Sequence, residues 1–422
     1  MALIDSTLAS GLLTRRVVIR ALAAAASAVA VAPSVVRAQA TGAGQPGTGP
    51  AGPVNPPTTT TNPPRDFTAP SVYFSDPDIL AYDPAFNSLT QGNTTITRLW
   101  HGDVNGKPIL WMEGPAWNSQ GKYLLFSDIP NARQCRWLDD DGHVSVFREN
   151  TSNSNGNTFD WDGRQISFEH LSRRVVRYEH DGGISILADS WNGKRLNSPN
   201  DGAVHSDGSL WFTDPPYGGQ LYEGDVDQPG GPTNPNGTIN ARAGQPAGFP
   251  LFKRELPTQV YRLDPNGTLD AVIKDDAVPD PNGLCFSPDF KHVYIASTGK
   301  GPGDTGPGGQ GDVWVGDVTS DNKGVSNLRK FSDCVVDGVK CGPDGLRTDV
   351  YGNVWMSSNA GRNIGYNGVQ CWDASGKLLG RIRIPEVVGN FTFGGPKRNR
   401  IFMAGSTSLY AVYVGVQGAG AG

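Results

Sequence analysis

Six segments of this 422-residue chain share one local pattern, in which a tight turn precedes a strongly apolar strand. The six apolar strands are 123–127, 165–169, 209–213, 292–297, 353–357 and 399–404. Each has a shorter strand before its turn and a third strand after it, and most units add a fourth. Four-stranded antiparallel units that recur at a long period are typical of β-propellers. The pattern therefore predicts an all-β fold, a six-bladed β-propeller with four-stranded antiparallel blades.

The two ends of the predicted propeller complete one blade between them. The last unit has no fourth strand at its C-terminal end, and segment 95–100, ahead of the first unit, can supply it. This pairing closes the ring with an N-terminal strand and leaves no open seam. A β-sandwich is the alternative all-β fold, but it does not explain six units in phase.

An oxygen-bearing side chain lies eight residues before the turn of every unit. These six residues are Glu113, Asn155, Asn200, Asn282, Asp344 and Asn390. Residues just before the innermost strand of each blade point to one mouth of the channel, so the six are expected to converge there. Two carboxylates among hard oxygen donors suit one divalent cation, Ca²⁺ first, with Zn²⁺, Mn²⁺ and Mg²⁺ as alternatives. Asn and Asp are also common turn formers, and for Asn155 and Asn390 that interpretation stays open.

Four of these positions lie in short motifs. The motifs are Glu113-Gly-Pro-Ala-Trp, Ser198-Pro-Asn200-Asp201-Gly, Pro281-Asn282-Gly-Leu and Pro343-Asp344-Gly-Leu. In this order they resemble the signatures of the gluconolactonase/regucalcin (senescence marker protein) family, and the similarity covers residues 95–414. The resemblance implies a six-bladed propeller lactonase with one divalent cation in its channel. The implied reaction is hydrolysis of a sugar lactone to the aldonic acid.

The resemblance also implies a role for individual residues. The family's metal ligands fall on Glu113, Asn282 and Asp344. Its substrate-contacting asparagine, which lies close to the metal, falls on Asn200, and its general acid/base falls on Asp344. Chemically this is coherent, because a cation polarises a lactone carbonyl and stabilises the oxyanion, while a carboxylate accepts a proton from water. Some members carry Arg where this chain has Ser198, so the preferred lactone is left open.

Three further residues are candidates for substrate binding beside Asn200 and Asn155. Arg195 lies in the same connection as Ser198 and either reaches the mouth or is a solvated loop residue. His170 follows a second strand and either transfers a proton or makes a structural hydrogen bond. Tyr217 begins the long Gly-, Pro- and Asn-rich segment 218–257, which is a candidate lid.

The sequence lacks the motifs that mark two other enzyme classes. There is no Gly-x-Ser-x-Gly of a serine esterase, and no Gly-Lys-Ser/Thr of a phosphate-binding loop. Two alternatives remain beside the sugar lactonase. One is a related hydrolase of other lactones, aryl esters or phosphotriesters, and the other is a non-catalytic binding propeller with a structural ion. The carboxylate pair Glu113 and Asp344 favours an enzyme.

The N-terminus has the pattern of an export signal. Arg15 and Arg16 form a twin-arginine pair, residues 21–36 are small and apolar, and Ala38-Gln39-Ala40 fits a signal-peptidase site. The interpretation is a twin-arginine signal peptide over 1–40, export to the bacterial periplasm or medium, and no membrane anchor after cleavage.

The rest of the chain divides by composition. Residues 41–88 are predicted to form a flexible Pro/Gly/Thr-rich linker and surface segment, 89–416 the propeller, and 417–422 a disordered tail. The net charge of −5 argues against nucleic acid as a partner, and leaves a small-molecule lactone as the expected one. The sequence does not indicate an oligomeric state.

The five cysteines cannot all pair with one another. Cys334 and Cys341 flank one connection shortly before Asp344, and in an oxidising compartment a disulfide between them would stiffen it. Cys135 and Cys371 lie on third strands of non-adjacent units, so they are not expected to be bonded. Cys285 lies in an inner strand and is predicted to be a small core residue.

Overall fold

A computed structural model describes residues 65–69, 74–219, 254–298, 311–361 and 363–420. Nearly all regular structure in these ranges is β-strand. One α-helix, Phe86–Leu89, and two 3-10 helices, Tyr217–Gly219 and Ile364–Tyr366, are the helical elements described. None of the described helices has the length and apolarity needed to cross a bilayer. The predicted signal peptide and most of the candidate lid lie outside the described residues.

Six four-stranded antiparallel sheets form the blades of a propeller, which confirms the predicted fold. Their strands are lettered A to D from the channel outward. Blade 1 consists of Met112–Asn118, Tyr123–Asp128, Arg133–Leu138 and Val144–Glu149. Blade 2 consists of Ser154–Phe159, Gln165–Glu169, Arg174–Tyr178 and Ile184–Ala188. Blade 3 consists of Gly202–Val204, Leu210–Asp214, Gln259–Leu263 and Leu269–Ile273.

The remaining three blades have the same topology. Blade 4 consists of Pro281–Phe286, His292–Ser297, Asp312–Val318 and Val325–Ser332. Blade 5 consists of Leu346–Thr348, Val354–Ser358, Gly368–Trp372 and Leu378–Arg383, with Ile79–Ala81 added as a fifth strand. Blade 6 consists of Val388–Gly394, Arg400–Gly405, Ser408–Tyr413 and, as strand D, Thr97–His101. The N-terminal strand therefore closes the ring as predicted.

The B strands are apolar because neighbouring blades cover both of their faces. Every residue of Leu210–Asp214 is buried, whereas strand D of blade 2 alternates and leaves Ile184 and Ile186 exposed. The turns between strands A and B need left-handed backbone, which glycine adopts without strain. Gly208, for example, has φ +85° in the Asp-Gly turn of blade 3. Turn chemistry and burial together explain why the six units were visible in the sequence.

Three short hairpins rise from alternate connections between blades. They are Asp103–Val104 with Lys107–Pro108, Ser190–Trp191 with Lys194–Arg195, and Val335–Val336 with Val339–Lys340. Both turn residues of each hairpin have positive φ, as in Asn192-Gly193, which is the signature of a type I′ turn. The hairpins precede Glu113, Asn200 and Asp344, so they border the same mouth of the channel as these residues.

Segments at both ends of the chain pack against the propeller. Strand Ile79–Ala81 pairs with blade 5, and Phe67 and Phe86 are buried, so residues before 89 belong to the packed domain. At the C-terminus, Ala419 N donates to Thr348 O at 2.8 Å, so the described end of the expected disordered tail is hydrogen-bonded. Apolar residues and backbone partners supplied by other blades order both segments, and composition does not reveal such partners.

The disulfide expected between Cys334 and Cys341 is absent from the structure. All five cysteines are free and buried. Cys341 N donates to Cys334 O at 2.9 Å, so the two residues face each other across the third hairpin. The Cys334 sulfur instead lies 3.6 Å from the sulfur of Met356. Cys135 and Cys371 are unbonded and Cys285 is a core residue, as predicted.

Ring closure can be tested at the seam between blades 6 and 1. Phe402 lies between Trp117 and Trp137, with ring centroids 5.6 and 5.4 Å away. Phe402→Ala is expected to lower the free energy of unfolding by about 3–5 kcal/mol, because it removes this buried contact and leaves a cavity. Urea denaturation measures the effect, with Phe402→Leu as a milder control. A loss below about 1 kcal/mol, which is ordinary for any point mutant, would show that Phe402 does not stabilise the contact between blades 6 and 1.

Candidate active site

The six predicted residues all lie within two residues of the start of an inner strand, at one end of the channel. We call them the ring residues. In blades 1, 2, 4 and 6 the pairing of strands A and B slips at this level. In blade 1, for instance, Glu113 pairs with Ser127 but Ala116 pairs with Leu125. Such bulges turn side chains out of the regular ladder, so the backbone presents the ring residues differently from ordinary strand residues.

Neighbouring inner strands contact one another at the ring. Three backbone hydrogen bonds join them, from Gly156 N to Asn200 O at 2.8 Å, from Gly283 N to Asp344 O at 3.0 Å, and from Gly345 N to Gly389 O at 2.9 Å. Asn157 Nδ2 donates to Gly114 O at 3.0 Å and so joins blades 1 and 2. These bonds connect blades 1 to 2, 2 to 3, 4 to 5 and 5 to 6.

Glycines beside the ring residues permit this close approach. A Cβ at Gly389 would lie 2.1 Å from Oε1 of Glu113, and one at Gly345 would lie 2.1 Å from Oδ1 of Asn390. Any larger residue at either position would collide with the ring. The Glu113 carboxylate therefore lies against the inner strand of blade 6, beside Asn390, and the first and last blades meet at the site.

The ring residues are largely removed from water. Glu113 is 3% exposed, Asn200 2% and Asn282 5%, while Asp344 is half-buried. Oδ1 of Asn155 has no hydrogen-bond partner among the described residues, although buried acceptors normally have one. No cluster of three or more His, Cys, Asp and Glu suited to a metal occurs within the described ranges. The ring itself offers two carboxylates and amide oxygens, donors of the kind that a hard divalent ion prefers.

Asp201 forms a floor behind the ring. Its Oδ2 accepts a hydrogen bond from Asn390 Nδ2 at 3.1 Å, across the channel from blade 3 to blade 6, and lies 3.6 Å from Nη1 of Arg347. Burial raises the pKa of Asp201, while Arg347 and the bonds from Asn390 and Gly202 lower it. Sequence reasoning gave Asp201 no role. The available signal was its place in the motif, where three other motifs have glycine.

A small cavity lies behind this floor, toward the opposite mouth. It has a volume of about 40 Å³, and its lining includes Arg347, Cys285 and the backbone of Gly420. No ring residue lines this cavity, so it is separate from the ring mouth.

Two buried aspartates fix the connections that carry ring residues. Asp214 accepts hydrogen bonds from the backbone N–H groups of Asn197 and Ser198, each at 2.8 Å. In blade 1, Asp128 accepts from Leu110 N at 3.1 Å and is paired with Arg133 at 2.8 Å. We call each of these aspartates a clamp. Each bonds residues two or three positions before a ring residue, and so fixes the backbone that leads to Asn200 and Glu113.

Two of the candidate substrate residues have structural contacts. Arg195 is exposed on the second hairpin, and its Nη2 donates to Ser172 O at 2.8 Å. Tyr217 is buried, and its hydroxyl donates to Asp280 O at 3.4 Å, two residues before Asn282. The structure thus places Arg195 on the rim, while Tyr217 braces a neighbouring ring connection.

His170 is buried near the ring without a polar contact. It is 1% exposed, and neither ring nitrogen has a hydrogen-bond partner among the described residues. Burial lowers the pKa of His170 to about 3, so the imidazole is neutral near pH 7. The structural hydrogen bond considered from the sequence is therefore not formed within the described chain.

Ser198 anchors the connection that precedes Asn200. Its hydroxyl donates to Pro215 O at 2.5 Å and accepts from Gly218 N at 2.8 Å. These bonds tie the 3-10 helix Tyr217–Gly219 to the connection before Asn200. The side chain is fully buried, so a long cationic residue has no room there without rearrangement.

Comparison with known proteins identifies the family. Residues 111–407 match the model of the SMP-30/Gluconolactonase/LRE-like region. The chain belongs to this family. It is 28% identical over 330 residues to a gluconolactonase of Zymomonas mobilis, covering 74% of this chain and 80% of that protein.

Solved structures agree with this assignment. A gluconolactonase from Xanthomonas campestris is 30% identical, with a TM-score of 0.62 over 82% of this chain and 98% of that one. Regucalcin from Agrobacterium tumefaciens, a calcium-binding protein, superposes with a TM-score of 0.52 over 74% of this chain and 92% of that one. At 17% identity it supports the fold alone.

The Asp214 clamp gives a pH-dependent prediction. Burial raises the pKa of Asp214 to about 7, although the bonds from Asn197 and Ser198 oppose this effect. Because the folded pKa exceeds the ordinary value, this group's contribution to stability is complete below pH 4 and is lost as pH rises through 7. The melting temperature of the wild type should therefore fall relative to that of Asp214→Asn between pH 5 and 8. Calorimetry at several pH values tests this, and parallel curves would disprove it.

Proposed function

We propose that this protein hydrolyses a gluconolactone-like sugar lactone to the aldonic acid, with one divalent cation, Ca²⁺ first, at the ring. The observation that supports this proposal most is that the segments carrying two carboxylates and two amides of the predicted motifs lie at the same end of the channel. Membership of the gluconolactonase family and the 30% identity to the Xanthomonas enzyme support it. The twin-arginine pattern of the sequence supports export to the periplasm or medium as the place of action.

Glu113, Asn282 and Asp344 would hold the cation, with Asn200 close by. When bound, such an ion supplies Lewis-acid polarisation of the lactone carbonyl and stabilises negative charge on its oxygen. The ring fits this group because its donors are oxygens and because the acceptor Oδ1 of Asn155 has no partner among the described residues. The chain's own residues would transfer the proton and orient the substrate.

Asp344 is proposed as the general acid/base. It is half-buried, unlike the other ring residues, so its carboxylate has access to water. Its backbone N donates to Ser357 Oγ at 3.1 Å and its carbonyl accepts from Gly283 N at 3.0 Å. With the main chain fixed on both sides, the carboxylate can accept a proton from attacking water and return it to the departing ring oxygen.

Asn200 is proposed to orient the sugar hydroxyls. Its backbone is fixed by a bond from its N to Thr213 O at 3.0 Å and by one from Gly156 N to its carbonyl. The Asp214 clamp and the Ser198 hydroxyl hold the residues before it. A side chain on such a rigid base loses little entropy when it binds a hydroxyl, which favours precise placement of the substrate.

The metal and substrate can be tested together. EDTA-stripped protein would be assayed by pH-stat with glucono-1,5-lactone, other lactones, an aryl ester and a phosphotriester, before and after addition of Ca²⁺, Zn²⁺, Mn²⁺ or Mg²⁺. We expect acid release from sugar lactones that returns with one of these ions. Preference for an ester or phosphotriester would replace the proposed substrate. Tight cation binding with no turnover would indicate a binding propeller.

Substitution of Asp344 separates chemistry from folding. Asp344→Ala is expected to lower kcat by at least about 100-fold, the usual minimum for loss of a general acid/base, and to weaken cation binding. The melting temperature of the metal-free protein should change little, because Asp344 is half-buried. Asp344→Asn is the isosteric control and should also be inactive. Wild-type turnover in either variant would remove Asp344 from the mechanism.

Substitution of Asn200 tests substrate placement. Asn200→Ala should raise KM about fivefold, since one hydrogen bond contributes about 1 kcal/mol and about 1.4 kcal/mol corresponds to a tenfold change. The comparison is with Asn399→Ala, between strands A and B of blade 6 and so at the opposite mouth, for which no effect on KM is expected. Unchanged KM and kcat in Asn200→Ala would contradict a role in binding the sugar.

A further inference from the structure

The seam between blades 1 and 2 differs from the other five seams. Apolar clusters join blades 2 and 3, 3 and 4, 4 and 5, 5 and 6, and 6 and 1. Among the described residues, no comparable cluster joins blades 1 and 2. A polar network occupies that seam instead. Its members are Ser127, Gln134 and Arg148 of blade 1 with Ser154, Asn157, Gln165 and Ser167 of blade 2.

Direct side-chain hydrogen bonds hold this network together. Gln134 Nε2 donates to Ser154 Oγ at 3.2 Å, to Asn157 Oδ1 at 3.0 Å and to Ser167 Oγ at 2.9 Å. Gln165 Nε2 donates to Gln134 Oε1 at 3.0 Å. All of these side chains are at most 4% exposed. At its outer end, Arg148 Nη1 donates to Gln165 Oε1 at 2.5 Å.

Asn157 connects the network to the ring. Its Nδ2 donates to the carbonyl of Gly114 at 3.0 Å and to Ser127 Oγ at 2.9 Å, with a longer bond of 3.3 Å to the Asn155 carbonyl. Its Oδ1 accepts from Gln134 and Gln165 at 3.0 and 3.1 Å. Both faces of the amide are thus saturated, and a flipped amide would place donors against donors. The network therefore fixes Asn157 in one orientation.

The two carbonyls that Asn157 contacts belong to ring segments of different blades. Gly114 follows Glu113, whereas Asn155 is itself a ring residue. No other side chain described here bonds to both segments. A change in the distance between blades 1 and 2 would stretch the bonds to Gly114 O and Ser127 Oγ, which cross the seam, and would leave the buried amide unsatisfied, which is unfavourable. Asn157 therefore acts as a spacer between Glu113 and Asn155.

Proton transfer is a poor explanation for the network. Serine and carboxamide groups do not titrate near pH 7, and amide nitrogens release a proton only through an unfavourable tautomer. Apolar packing would also have been sufficient for stability, as in the other five seams. Directional bonds instead restrict the seam to one register, the role for which buried polar groups are best attested.

We propose that Asn157 is a positioning residue that sets the separation of Glu113 and Asn155 through the polar seam. The inference rests on the proposed function, because it assumes that these residues surround a cation. Asn157 contacts neither cation nor substrate in this scheme. It acts on backbone atoms next to the donors, as outer-shell groups do around metal sites.

Cation affinity of the metal-free protein tests this role directly. Asn157→Leu keeps a similar volume but removes all five hydrogen bonds of the amide, and calorimetric titration with Ca²⁺ is expected to show about 10- to 100-fold weaker binding, as for other outer-shell changes. Arg148→Met is the matched control, because it breaks the same network at its outer end without touching the ring. Its affinity should stay within about twofold of wild type, well below the expected outer-shell loss.

A milder variant covers the case in which Asn157→Leu does not fold. Ser127→Ala removes one acceptor of Asn157 and should weaken cation binding several-fold, again relative to Arg148→Met. Melting temperatures of the metal-free variants separate seam stability from ring geometry. Equal affinities in wild type, Asn157→Leu and Ser127→Ala would overturn the positioning role alone. Failure of the wild type to bind any cation would overturn this inference together with the metal part of the proposed function.

Discussion

The close approach of the inner strands around the channel is the constraint on which the rest of the structure depends. Backbone hydrogen bonds join the inner strands of blades 2 and 3, 4 and 5, and 5 and 6 at the ring, and glycines such as Gly345 and Gly389 leave no space for a Cβ there. This contact brings residues that are far apart in sequence to one channel mouth. It also removes them from water, which strengthens the electrostatic effect of any charge placed among them.

Buried carboxylates near the ring serve different purposes, and their partners decide which. Asp128 and Asp214 receive backbone N–H groups and so fix the course of the connections. Asp201 is bonded to Asn390 across the channel and closes its floor. Glu113 and Asp344 occupy the mouth itself, where Asp344 alone of the ring is half-buried. The same residue type thus supplies architecture in three places and candidate chemistry in two.

Sequence reasoning located the ring because its residues keep a constant distance from the A–B turns. It assigned no role to Asp201, Asp214 or Asn157, whose partners lie in other strands or blades. Asn157 was detectable only as a polar residue in an inner strand, without any sign of what it contacts. Likewise, the sequence did not show that Arg195 is exposed on the rim, or that His170 is buried and neutral. Those differences arise from packing between segments that are distant in the chain.

By itself, the sequence determined the propeller, the six blades, the closing strand and the ring positions. These follow from local causes, since turn residues and strand burial recur with every unit. Only the tertiary structure decided which seam is polar, that the Asp201 carboxylate meets Asn390 across the channel, and that residues 79–81 join blade 5. It also left Cys334 and Cys341 as unbonded thiols. Each of these depends on distances between separate blades, and such distances are set by the closure of the whole ring.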